Sequence, residues 1–289
     1  QQISSGRKWQ KQSEAPADAA ETRTLLRQQG NRNQWKSNVI TASHWTKATE
    51  AQLQGTTDNI QRLNELAVQA VNDTHTAADR QNMAKEVDGI LESLVTKAQS
   101  TFQGSYLFSG TYSDAPPVKE TRNADGQIIA VNQNPDVNNW DHREVQVNRA
   151  TEREYGALAG GGNGVFMNNG HDASDGDLEP GSSIFDAAMK LRDALEAGNV
   201  PSESIVGDIE QGLQRATESM VENGVNLNTF EDIEKRFQDM EANTNETIDE
   251  IRNVDVAQAS VRLSELQSSL QATMRMTVNS QELSLSNYL

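Results

Sequence analysis

The chain has 289 residues, 35% apolar and 5% aromatic, with a mean hydropathy of −0.71. That length can bury a sizeable core, but the composition is leaner than a globular enzyme's and suits long, half-exposed helices. Cysteine is absent, which excludes disulfides, thiolate nucleophiles and Cys-based metal sites, and a formal charge of −17 argues against a nucleic-acid partner. No apolar run approaches the roughly 20 residues that span a bilayer, so membrane insertion is not expected.

In chain order, Pro16 suits the first turn of a short helix carrying Leu25 and Leu26, with a stop near Gly30. A heptad seam follows from Trp35 through Val39, Ala42, Thr46, Thr49, Leu53, Thr56, Ile60, Leu63 and Ala67 to Ala70, in steps of four and three. Its Ala and Thr members make it thin, so it needs close helical neighbours. A second helix reads Met83, Val87, Ile90 or Leu91, Leu94, Ala98, Phe102, with Thr76 or Asp73 as N-cap and Gly104 just past its end.

From Gly104 to about Ser183 the pattern breaks. Pro116-Pro117, Asn134-Pro135, Asp125-Gly126 and the run Gly160 to Gly164 interrupt every apolar stretch. Asp125-Gly126 between Val118–Thr121 and Ile128–Val131 predicts a hairpin, and Val145-Gln146-Val147 a third strand. Tyr106, Leu107 and Phe108 are expected as a buried connector into this β-rich insert, and the glycine run as a flexible loop.

Helical spacing returns at Ile184, Ala188, Leu191 and Leu195, then after Pro201 at Ile205, Ile209, Leu213, Ala216 and Met220, which predicts two medium helices. A last segment shows Phe230, Ile233, Phe237, Met240, Thr244, Thr247, Ile251 and Val254, then Ala259, Leu263, Leu266 and Leu270 displaced by about one residue. That phase change places a subdomain boundary near Asp255. Residues 1–50 carry eight Lys/Arg against four Asp/Glu, a net +4, whereas residues 172–255 carry six against twenty-one, a net −15. Opposite patches of this kind are expected to meet between neighbouring copies. After residue 255 only Arg262, Glu265, Arg275 and Glu282 are charged, a tail that invites burial against a partner.

Residues that could carry chemistry are few. His44, His75, His142 and His171 stand far apart and read as solvated or capping side chains. Asp172, Asp175 and Asp177 around Gly176 lack the offsets of a calcium loop and read as a polar turn. The glycine run is not followed by Lys-Ser/Thr, which leaves phosphate cradling unsupported. Catalytic, cofactor-binding and metal-binding residues are therefore each expected to be none. Asn72-Asp73-Thr74 and Asn245-Glu246-Thr247 match a glycosylation pattern short enough to arise by chance.

Three strings carry a family likeness: Ser13-Glu14-Ala15-Pro16-Ala17-Asp18-Ala19-Ala20, Gly104-Ser105-Tyr106-Leu107-Phe108-Ser109-Gly110, and the closing Leu283-Ser284-Leu285-Ser286-Asn287-Tyr288-Leu289. Together, and with Ile3-Ser4-Ser5-Gly6-Arg7 at the start, they resemble the flagellin family over nearly all of both helical arms. The likeness implies a non-catalytic flagellar adaptor that joins hook-associated protein 1 at the hook to the flagellin filament. Its implied partners are hook-associated protein 1, flagellin, copies of itself in a ring and a flagellar export chaperone. It implies no cofactor, export through the flagellar type III channel, and a place on the extracellular flagellum. It also implies a further apolar N-terminal helical segment, expected here as a segment ahead of Gln1. The sparsely charged end would then be the subunit and chaperone surface, through Leu263, Leu266, Leu270, Met274, Val278, Leu283, Leu285 and Leu289. In an isolated monomer that end, after about Asp255, is expected to be disordered. The filament subunit itself is the nearest alternative, and a metal-dependent hydrolase using the Asp-rich insert is one of another class.

The expected fold is mainly α with a small β insert: an elongated antiparallel helical bundle of N- and C-terminal arms with an inserted β-rich domain. The expected divisions are an N-terminal arm at 1–104, the insert at 105–183, helices completing the bundle at 184–254, and a terminal assembly helix at 255–289.

Overall fold

A computed structural model describes residues 6–9, 11–71, 76–137, 140–162, 164–168 and 183–286, without the side chains of 256 and 278–286. The protein is mainly α, with a small strand-containing insert. It divides into two compact units: Gln1–Gln34 with Arg236–Leu289, and Trp35–Lys235.

Helix α1 runs unbroken over Pro16–Val71, so the expected stop at Gly30 does not occur. One glycine costs a helix only about 1 kcal/mol relative to Ala. Contacts on both sides of Gly30 offset that cost, since Gln29 Nε2 donates to Asn245 Oδ1 at 2.8 Å and Arg32 donates to Thr244 Oγ1 at 2.7 Å. The seam is what the heptad spacing indicates: every member from Val39 to Ala70 is buried, while Trp35 is half-buried. Its small residues admit close neighbours, and Thr46 and Thr49 satisfy their buried hydroxyls on the carbonyls of Ala42 and Trp45, at 2.8 and 3.0 Å.

Helix α2, Ala77–Ala98, begins with a capping box. Thr76 Oγ1 accepts from Asp79 N at 3.2 Å, and Asp79 Oδ2 accepts from Thr76 N at 3.0 Å. It ends before Phe102, which the helical spacing included; Phe102 instead lies in strand β1, Thr101–Phe102, paired antiparallel with β2, Ser105–Tyr106. Gly104 is thus a hairpin residue rather than a helix stop. Gln103 and Gly104 both take positive φ, 53° and 85°, which a tight two-residue turn requires.

The second hairpin, β3 Val118–Arg122 with β4 Ile128–Gln133, turns at Asp125-Gly126 as the sequence indicates. Asn123 Oδ1 accepts from Asp125 N at 3.0 Å and Gln127 N at 2.9 Å, which sets the turn. The third strand, β5 Arg143–Gln146, pairs with β6 Glu152–Tyr155, which periodicity did not reveal because its single buried member is Tyr155. Each hairpin is a separate two-stranded sheet, and an isolated pair of strands is marginal without a packed face.

That face comes from the helices. Leu107 and Phe108 are buried as the connector, and Phe108 meets Phe166 edge-on at 5.4 Å, with Phe166 stacked on Phe185 at 5.6 Å. Phe185 lies on α3, Ile184–Glu196, capped by Ser183 Oγ accepting from Phe185 N. Arg192 of α3 is buried and joins three elements: it donates to Ile128 O on β4 at 2.7 Å, to Asp88 on α2 at 3.1 Å, and to its neighbour Asp193.

Of the run expected as a flexible loop, Gly160, Gly161 and Gly164 are packed. Gly160 and Gly161 are buried beneath Trp140, and a Cβ at Gly160 would come within 2.8 Å of its ring. A Cβ at Gly164 would stand 2.3 Å from Met167 O. Close approach is what glycine supplies here.

After α3, the two expected segments merge into one helix, α4, Glu203–Arg252. Asn223-Gly224 does not interrupt it because Asn223 is buried and its amide donates to Thr46 O at 3.0 Å. In the second unit α4 runs antiparallel to α1: Lys47 meets Glu231, whereas residues 61–68 lie beside Leu213 and Thr217. The buried stripe follows Phe230, Ile233, Phe237 and Thr244 and then shifts to Ile248, leaving Thr247 and Met240 exposed.

Candidate assembly surface

Helix α4 stops at Arg252, and α5, Val256–Ser286, starts after three intervening residues. The break is built locally. Val254 N donates to Gly6 O at 3.0 Å and Lys8 N to Arg252 O at 2.8 Å, so residues 6–8 pair with the residues between the helices as a short antiparallel bridge. Backbone groups that a continuous helix would use internally are thereby taken by the N-terminal segment. Asp255 then caps α5, its Oδ1 accepting from Ala257 N at 2.9 Å and Gln258 N at 3.3 Å.

Beyond this break, Leu263, Leu266, Leu270 and Met274 follow one another in steps of three, four and four, one face of a helix. All four are exposed, with Leu266 at 65%. Val261 and Met276 are exposed as well. Among residues 257–277 only Arg262, Glu265 and Arg275 are charged, so this exposed face is mostly apolar. Of the other residues expected to share this surface, Val278, Leu283 and Leu285 lie on α5 with side chains outside the described set, and Leu289 is outside the described residues.

The expected disorder after Asp255 is not what the structure displays, since the segment is helical through Ser286. Leu, Met, Gln, Ala, Glu and Arg hold a helical backbone, and Asp255 supplies the start. What the segment lacks is burial.

The residues weighed for chemistry disperse. His44 is exposed on α1, and His142 uses Nδ1 on Gly156 O at 2.9 Å. His75, His171, Asp172, Asp175, Asp177, Asn163 and the Asn72 glycosylation pattern fall outside the described residues. Among the described residues no three His, Cys, Asp or Glu side chains gather as a metal site, and no helix is long and apolar enough to cross a membrane.

Sequence reasoning missed the joint between the insert and the long helices. Arg143 of β5 lies over the Trp45 ring at 4.1 Å from its centroid, while Phe102 meets the same ring edge-on at 6.0 Å. Tyr155 of β6 meets Phe230 of α4 edge-on at 5.9 Å. Trp45 sits between seam positions, so heptad spacing gave it no partner; its size was the only signal.

A long amino-terminal helical arm, a strand-containing insert and a carboxy-terminal helix with an exposed apolar face define a mainly helical class of protein with an inserted β region. Residues 1–113 match the family described as the bacterial flagellin N-terminal helical region. A curated relative, flagellin FlaB1 of Treponema pallidum, is 38% identical over 82 residues, which span 28% of this chain and 29% of that protein. Among solved structures the fold matches a protein described as flagellar hook-associated from Vibrio parahaemolyticus, at 16% identity and a TM-score of 0.67, covering 83% of this chain and 100% of that one. It also matches flagellar hook-associated protein 3 of Legionella pneumophila, at 17% identity and 0.63 over 79% of this chain and 98% of that one. The flagellar junction protein FlgL from the same organism gives 17% identity and 0.59 over 79% and 99%.

Proposed function

We propose that this chain is a structural, non-catalytic adaptor of the bacterial flagellum that joins hook-associated protein 1 at the hook to the flagellin filament. Copies of the chain form a ring at that junction. The chain reaches the outside through the flagellar type III channel, and an export chaperone holds α5 beforehand. The observation that carries this reading is the uncovered Leu263–Leu266–Leu270–Met274 face on a helix set off by a capped break. Such a face needs a helical partner in every state of the protein, and a chaperone and an assembled tube would supply one in turn. Val278, Leu283, Leu285 and Leu289 extend the same proposed surface.

A strain lacking the chain tests the reading. The adaptor predicts hooks without attached filaments and flagellin monomers released into the medium. Loss of the filament subunit itself, with no flagellin left to release, would instead identify the chain as flagellin.

A further inference from the structure

A second apolar surface lies in the unit formed by Trp35–Lys235. Val68 on α1 and Leu213 and Val221 on α4 line a shallow groove that is continuous through Thr217. Val221 is 61% exposed, and Val225, one turn on, prolongs the apolar strip. The lips are acidic: Glu65 on α1, Glu218 and Glu222 on α4. Glu65 is engaged by Arg62 at 2.9 Å, Glu218 accepts from neutral Gln214, and Arg215 lies near enough to interact with Glu218. The net −15 of residues 172–255 adds to the field over the α4 lip.

The matching chemistry is on the same chain. Near the start of α1, Arg23, Leu26 and Arg27 are all exposed within little more than one helical turn, Leu26 at 46%, with Arg27 beside it and Arg23 one turn before Arg27. An apolar knob flanked by cations fits an apolar groove flanked by carboxylates. Resting on the adaptor reading, we infer that the Arg23–Leu26–Arg27 knob of one copy seats in the Val68–Leu213–Val221 groove of the next. Because knob and groove are different patches, the contact is head-to-tail. It adds copies around a ring instead of closing on a pair.

Since the chain has no cysteine, single-site cross-linking tests this directly. Cells co-express full-length Leu26→Cys and Val221→Cys chains, and isolated flagella are treated with a short bismaleimide linker. A cross-linked dimer from the mixture, and none from either variant alone, is the expected result. Dimers from one variant alone would mean a symmetric contact and overturn the inference, as would no dimer from the mixture. A Val68→Cys chain in place of Val221→Cys must behave in the same way, and both substitutions are at exposed positions where folding tolerates them. In the same assay Glu218→Arg/Glu222→Arg should lower the dimer yield about tenfold through like-charge contacts, and Arg23→Glu/Arg27→Glu on the partner should restore it. Filament attachment is scored separately. Attached filaments with no cross-link remove the groove contact and leave the adaptor standing, whereas a cross-link without filament attachment removes the adaptor and keeps the contact.

Discussion

Glu92 of α2 and Arg122 of β3 show how single side chains hold the insert to the bundle. Arg122 Nη2 donates to Glu92 Oε2 at 2.8 Å and Nη1 to Oε1, a two-point grip, and Gln99 Nε2 adds a bond to Val118 O at 3.1 Å. The hydrogen bonds from Arg122, aided by its charge and opposed by partial burial, hold the Glu92 carboxyl below its ordinary value. A depressed carboxylate stabilises the fold above its unfolded pKa, and that stability is lost as pH falls through the folded value. Both partners are about 40% exposed, so Arg122→Gln should cost about 0.2–1 kcal/mol at pH 7. The cost should shrink as pH falls below the ordinary glutamate range of about 4.3. Urea denaturation of both proteins at pH 7 and pH 3 checks this, and an equal gap at the two pH values would rule it out.

At the scale of the element, α1 and α5 contrast. Gly30 lies inside α1 without a positive φ, and a Cβ there meets nothing within 4 Å. Gly30→Ala should therefore stabilise the protein by about 0.5–1 kcal/mol, read as a higher thermal midpoint. A drop in that midpoint would mean the position needs glycine after all. Helix α5 has propensity and a cap but little burial, and helices without tertiary packing open readily. Amide hydrogens of residues 257–277 should exchange far faster than those of residues 39–70 in the isolated chain. Comparable protection would show that the α5 face is already covered.

For the whole molecule, the prediction concerns where an exposed apolar face becomes buried. Leu266→Asp with Leu270→Asp leaves the packed core untouched, since both side chains are exposed. The double variant should keep its thermal midpoint within about 0.5 kcal/mol of the parent, the usual range for surface changes, yet fail to restore filaments to a strain lacking the chain. Restored filaments would remove this face from assembly. A collapsed midpoint would instead assign it to the chain's own core.

The α seam was legible because burial on one side of a long helix writes itself into spacing: Val39 to Ala70 are buried member by member. The Asp125-Gly126 hairpin and the Ile184–Leu195 helix were legible for the same local reasons of turn chemistry and period. Gly30 and Phe102 misled because breakers and apolar steps act locally, whereas contacts with distant residues decide whether a helix continues. Trp45 with Arg143, Arg192 with Ile128, and Trp140 over Gly160 join residues that are between 20 and 98 positions apart, and no periodicity encodes such pairs. By itself, then, the sequence determined which segments are helical, which faces are apolar, and a flagellin-like order of arms around an insert. Only the tertiary structure decided which apolar faces are spent inside the chain and which are left over. An apolar stripe reads the same whether it meets its own fold or another molecule.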